Sequence, residues 1–272
     1  MIFDCFREVI IPQAMLQGKV LYSDITCIYP PLAYQFNTLL FKIFGDSLNV
    51  LYLSGIICSL TVLTLFYKMA LKKASLLTTF TVILTVMGMF TFRIASFDVG
   101  SWYFPYSFSF LYAFTFCIIA FYLYVLFKDT EDKKYLYLSA LSVGISIACK
   151  FDFLLFILLI AYEVFRNKSL KDFGICFLLF IAPLFCSYGI WFLTGGSIDG
   201  ILQYKDFLVN FAKAPSVKAF NSHFLIQSFS LLSMVSLLVS SVIFLLNVIK
   251  ILCIAAAFIF ITKFIKNLFL RI

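Results

Sequence analysis

Long apolar runs without a charge constrain this chain more than any other feature. The segments LNVLYLSGIICSLTVLTLF, from Leu48, and FSFLYAFTFCIIAFYLYVLF, from Phe108, each hold no ionisable acid or base of the Asp, Glu, Lys or Arg type. A helix crosses ~30 Å of hydrocarbon with ~20 such residues, and lipid offers no water to satisfy an open backbone. A membrane β-barrel would alternate apolar and polar residues, and these runs do not alternate. Only 12% of the 272 residues are charged and 63% are hydrophobic, against roughly 25% charged in soluble domains. The expected class is an all-α polytopic membrane protein.

The runs place spans at about 47–67, 75–95, 106–127, 135–149, 151–165 and 173–194, with a last one near 241–262. Two shorter helices precede them. One runs from Asp4 to Gln17, interrupted at Pro12 and stopped by Gly18. The other follows Pro30-Pro31 and ends before Gly45; at about 21 Å it suits a juxtamembrane position better than a span. The chain thus reads as a single transmembrane domain, 1–272: an outer segment 1–45, six spans in 47–194, an outer loop and helix 195–240, and a last span with a basic tail in 241–272.

The net charge of +8 is spread over short clusters between apolar runs, not gathered on a soluble face. That excludes nucleic-acid binding as the reason for it. The clusters are Lys68, Lys72 and Lys73; Lys128, Lys133 and Lys134; Arg166, Lys168 and Lys171; and Lys263, Lys266 and Arg271. Each lies one hairpin from the next, so all four share a side, which the positive-inside rule makes cytoplasmic. The opening segment, the 96–105 loop, the turn at Lys150 and the 195–240 region then face outward, from a plasma membrane. A chain that starts outside needs a span to carry it there, so a first helix upstream of Met1 is expected.

Of eight cysteines, Cys58, Cys117, Cys149, Cys176, Cys186 and Cys253 lie in apolar runs and read as small hydrophobes. Cys5 and Cys27 alone could pair in an oxidising compartment. His223 is the one histidine, and no Cys/His spacing marks a metal site. The TGGS at 194–197 is a helix stop without the rest of a phosphate loop. The serine-rich stretch from Gln227 either packs closely or lies in the interface.

Four outer features carry candidate chemistry. Asp4, Arg7 and Glu8 share a helix face at i, i+3 and i+4, as a functional acid–base group or an ordinary solvated ion pair. Asp24 precedes Tyr29-Pro30-Pro31, where a turn carboxylate ahead of a proline-started helix is by itself the better explanation. The loop RIASFDVGSWYFPY brings Arg93 and Asp98 beside interfacial aromatics. The turn ACKFDF sets Lys150 and Asp152 between two short apolar runs of ~20–22 Å, which recesses both below the outer surface. Charges held there need a cavity or a partner, and they can partner each other.

In order, these features resemble the GT-C membrane glycosyltransferases, nearest to the branch of protein O-mannosyltransferases, lipid A aminoarabinose transferase and rhizobial lipopolysaccharide-core transferases. The resemblance runs through Asp4…Arg7-Glu8, Gly18-Lys19, Tyr22…Asp24, Tyr29-Pro30-Pro31-Leu32, Phe44-Gly45, Asp98 and Lys150, over residues 1–215. The chain departs from the pattern at Cys5, where a second acidic residue is usual, and at Ile28-Tyr29, where some relatives carry Glu-Lys. It also lacks the first span and the C-terminal part of many relatives, as a fragment would.

The resemblance implies a GT-C-like bundle of about seven spans with external juxtamembrane helices. It implies an enzyme, a hexosyl or pentosyl transferase, that moves a sugar from a polyprenyl-phosphate donor to an acceptor hydroxyl on a lipid, glycan or protein at the outer face of the cell envelope. Asp4 would be the catalytic base. Arg7 and Lys150, with Arg93, would bind the donor phosphate. Glu8, Asp24, Asp98 and Asp152 would orient substrate. No cofactor is implied, and a divalent metal is left open. The competing readings are a lipid or solute transporter or flippase, and an inactive transferase fragment. Against a transporter, no internal repeat is evident and the charges gather at span ends instead of at mid-bilayer.

Overall fold

The computed structural model describes residues 2–27, 29–72, 74–86, 107–166 and 169–213. These residues form helices and connecting turns, with a lone backbone bridge between Leu21 and Ile25. The helices are α1 (Ile2–Leu16), α2 (Leu32–Phe44), α3 (Leu48–Leu71), α4 (Leu76–Val86), α5 (Phe108–Thr130), α6 (Lys133–Cys149), α7 (Ile157–Arg166), α8 (Leu170–Leu193) and α9 (Ile198–Lys213), with a 3₁₀ stretch at Phe151–Phe156. Three of them, α3, α5 and α8, are long and apolar enough to cross a membrane. Their exposed surface is oily: Leu178 and Leu193 on α8 are 69% and 86% exposed, which only a lipid surround makes inexpensive.

Local signals set the ends. Ser47, Ser107 and Ser169 cap α3, α5 and α8, each accepting a backbone N–H of the first turn. Asp132 does the same for α6 through the Lys134 amide. Pro31 occupies the N-cap of α2, and Gly45 closes that helix at φ +89°. Gly18, at φ +86°, ends α1 as its position in the sequence requires.

Two sequence expectations are corrected. Pro12 does not interrupt the first helix, which runs unbroken from Ile2 to Leu16 with the proline inside it. A proline deletes a single donor, the one that would face the carbonyl four residues back. Helical bonding resumes within a turn, as in Gln17 N–H to Gln13 O at 3.1 Å, and buried Ile11 anchors the segment. The second correction concerns 151–165, which is not one α-helix but a 3₁₀ stretch followed by α7. At ~2.0 Å per 3₁₀ residue and 1.5 Å per α residue, it reaches about 27 Å, longer than an all-α count allows. The expected spans 75–95 and 241–262 lie partly or wholly outside the described residues.

The middle of the bundle is α6, clamped between α5 and α8 by its small face. Ser139 Oγ donates to Ala120 O at 2.8 Å and Ser146 Oγ to Ala113 O at 2.6 Å, both across to α5. Gly144 lies against the backbone of Phe180 on α8. Membrane helices associate through this kind of close, small-residue contact because lipid supplies no hydrophobic drive between them. A buried polar relay adds α2 and α3: Tyr112 Oη donates to Asn37 Oδ1 at 2.6 Å and pairs with Ser54 Oγ at 2.9 Å.

The ion pairs between distant segments gather at one end. Lys72 pairs with Asp129, Lys128 with Glu163 at 2.9 Å, and Lys133 with Asp172 at 2.7 Å. These contacts bring three of the basic clusters to a common end, as the sequence requires; the fourth, at 263–271, lies outside the described residues. The opening segment sits at the opposite end, held by Trp191 Nε1–H to Leu21 O at 2.8 Å and Gln35 Nε2–H to Ser187 O at 2.8 Å.

Candidate functional site

The site is assembled at that opposite end from α1, the segment before α2, and the α6–3₁₀ junction. At Lys150 the backbone leaves the helix for an extended conformation, φ −159° and ψ 128°, which turns the side chain off the axis of α6. Its Nζ lies 5.3 Å from the ring centroid of Tyr29 and 5.3 Å from that of Phe110. Arg7, on α1, places its Cζ 5.2 Å from the same Tyr29 ring. Two cations more than a hundred residues apart in sequence thus lie against one aromatic ring. The two charges are separated by no more than the sum of their distances to the ring.

Tyr29 is itself fixed. Its carbonyl accepts Tyr22 Oη at 2.7 Å, and Tyr22 is held in the left-handed region at φ +69° with its ring edge against Trp191, centroids 5.7 Å apart. A tyrosine at positive φ costs of order 1–3 kcal/mol, so the surrounding contacts must impose it. Cys27 Sγ approaches the same carbonyl at 3.6 Å. The thiol is free, and burial pushes it up to about 11, far from a reactive thiolate.

Most of the expected residues fall within the described chain. Asp4 lies on α1 one turn before Arg7. Lys150 is recessed at 19% side-chain exposure while its partner Asp152, 2.8 Å away, is 63% exposed, so the expectation of two recessed charges holds for the lysine alone. Asp24 is exposed and serves its own turn, accepting the Val20 amide at 2.8 Å. Arg93 and Asp98 lie outside the described residues.

Glu8 departs most from its expected part in an open face. Its side chain has no exposure. It accepts the Phe108 amide at 3.2 Å, Tyr34 Oη at 3.4 Å and Arg7 Nη2 at 3.4 Å. It therefore joins α1 to α2 and to the positive N-terminus of α5, and reaches anything outside only through Arg7, whose position it sets. A sequence pattern gives the shared face but not which member the next helix covers.

Burial raises the Glu8 carboxyl above its ordinary 4.5, outweighing the opposing pull of Arg7 and of the Phe108 and Tyr34 donors. A group whose folded pKa is raised stabilises the fold fully below its unfolded pKa, and that stabilisation is lost as pH rises through the folded value. The melting temperature should therefore fall as pH climbs above the ordinary carboxylate range. Glu8→Gln, always neutral, should flatten that part of a melting profile recorded in detergent. An unchanged slope in the variant would assign the pH dependence elsewhere.

Sequence reasoning missed the acidic partners of the basic end. Glu163 is buried against Lys128, Arg166 and Tyr124, and Asp172 against Lys133 and Tyr137. Glu163 falls three residues before Arg166, a spacing that was available as a signal. Among the described residues, no group of three or more His, Cys, Asp or Glu side chains is placed to hold a metal ion. No protein-family model, curated protein or solved structure matches the chain.

Proposed function

We propose that this chain is a membrane glycosyltransferase of GT-C type, built as about seven spans, that uses a sugar carried on polyprenyl phosphate. The observation that carries the reading is the meeting of Arg7 and Lys150 on Tyr29, at the end of the bundle opposite the basic clusters. With those clusters cytoplasmic, the site faces outward. A lipid phosphate at that interface meets two cations in a partly dry setting, where charge is stabilised more than in water.

In the reaction, the acceptor hydroxyl oxygen forms a bond to the anomeric carbon as the carbon–oxygen bond to the lipid phosphate breaks. The hydroxyl proton passes to the Asp4 carboxylate, one helical turn from Arg7. The electron pair leaves with the phosphate, whose growing charge Arg7 and Lys150 offset. Glu8 holds Arg7 in place, and Asp152 steadies Lys150 from the solvent side.

The test is a radiolabelled polyprenyl-phosphate sugar supplied to membranes that contain the full reading frame. Label should move covalently to an acceptor, and Asp4→Asn should abolish the movement. Label that crosses the bilayer still attached to its lipid would replace the reading with transport. Normal transfer by Asp4→Asn would remove the base assignment.

A further inference from the structure

We infer that the groove between the end of α1, α2 and the end of α8 holds one anionic phospholipid of the surrounding bilayer, its phosphodiester between Lys19 and Lys42. The groove has a volume of about 610 Å³, within the ~300–1,000 Å³ of sites that enclose small ligands. Its walls are hydrocarbon, chiefly Leu32, Phe36, Leu39 and Ile190, and its two lysines stand on α2 and on the turn after Gly18. This site lies about 12 Å along α1 from Arg7, counting from Met15 back through two turns, and is distinct from the proposed donor site.

Three observations single out the occupant. First, the groove opens beside side chains that face lipid: Leu39 is 51% exposed, Ile190 49% and Leu193 86%. Ile190 and Thr194 close the last turn of a 24-residue spanning helix, the depth at which headgroups lie. Second, Lys19 and Lys42, like Lys68 and Lys171, have no acidic partner among the described residues, and of these four Lys19 and Lys42 line the groove. Two like charges on one apolar groove call for an anion between them. Third, Gln35 lines the groove and its Oε1 is buried without a donor, an unmet acceptor that a glycerol hydroxyl of the headgroup can satisfy once the amide turns toward it. A free phosphate ion would satisfy the lysines and leave the apolar walls bare. A single acyl chain with its phosphodiester satisfies both.

The test is native mass spectrometry of the full chain, stripped in detergent and returned to defined lipid. Phosphatidylglycerol should be retained roughly ten- to thirty-fold better than phosphatidylcholine, as two lysines near a membrane surface allow. The double variant Lys19→Gln/Lys42→Gln should reduce phosphatidylglycerol to the phosphatidylcholine level. Leu39→Trp, which fills the groove, should lower retention with both lysines intact, and a melting curve confirms that each variant folds. Millimolar inorganic phosphate should not displace the lipid. Equal retention of the two lipids, or full retention by the double variant, would overturn the inference. So would a phosphatidylglycerol molecule that polyprenyl phosphate expels at equal concentration, which would give the groove to the donor. The readout is lipid retention, so failure of sugar transfer leaves it standing.

Discussion

Lys150→Met is expected to lower sugar transfer by about 10²–10³-fold with little change in melting temperature, the usual loss when one preorganised charge donor is removed. The size follows from the lysine's setting. It is recessed, while the carboxylate that pairs with it is largely in water, so its charge is incompletely neutralised and remains available to an arriving phosphate. Two rings fix its ammonium, at 5.3 Å from each centroid, and this limits the reorganisation it must undergo when charge develops. Arg7→Met should cost a similar factor. The double variant should cost less than the product of the two, because in the proposed reaction both charges act on the same leaving group. Asp152→Asn provides the contrast. An exposed partner contributes only ~0–1 kcal/mol, and its loss should leave the rate within about five-fold. A Lys150→Met enzyme that keeps a third of its activity would show that the recessed cation does not serve the reaction.

Much of this architecture was legible from local chemistry. Gly18 and Gly45, and Pro31 ahead of α2, act through their own backbones, and each sits where the sequence places it. The shared end of the first three basic clusters was legible too, because hairpin counting needs only the order of spans. What escaped depends on partners distant in the chain. Pro12 reads as a break until Ile11 is seen buried. Glu8 reads as part of an open acid–base face until the Phe108 amide, a hundred residues away, is found on its carboxylate. The Lys150–Asp152 pair was one of the alternatives open in the sequence, but its unequal exposure had no signal there, since the 3₁₀ stretch that begins at Phe151 sets the two side chains differently. The convergence of Arg7 and Lys150 on one tyrosine likewise has no signature in spacing.

Gly144→Ala is expected to destabilise the fold by about 1–3 kcal/mol, and Gly144→Leu to prevent its assembly. A methyl at this position would sit 2.3 Å from Phe180 O and 2.9 Å from Phe180 C. Those are backbone atoms, so no rotamer change on α8 relieves the clash; the helices must separate. Alanine gains up to ~1 kcal/mol over glycine in helix propensity, which offsets only part of that loss. Separation would also reach the site. Ser187 and Trp191 lie further along α8, where they hold Gln35 and the Leu21 carbonyl, and Trp191 supports the tyrosine that orders Tyr29. Transfer should therefore fall more steeply in Gly144→Ala than its loss of melting temperature alone would produce. Gly174→Ala, on α8, supplies the control. Nothing lies within 4 Å of the added carbon, so this variant should gain the propensity term and melt no lower than the native protein. Paired melts in one detergent compare the two directly. If Gly144→Ala melted with Gly174→Ala, α6 and α8 would not cross as closely as the placement of Phe180 requires, and the end of α8 would lose its part in building the site.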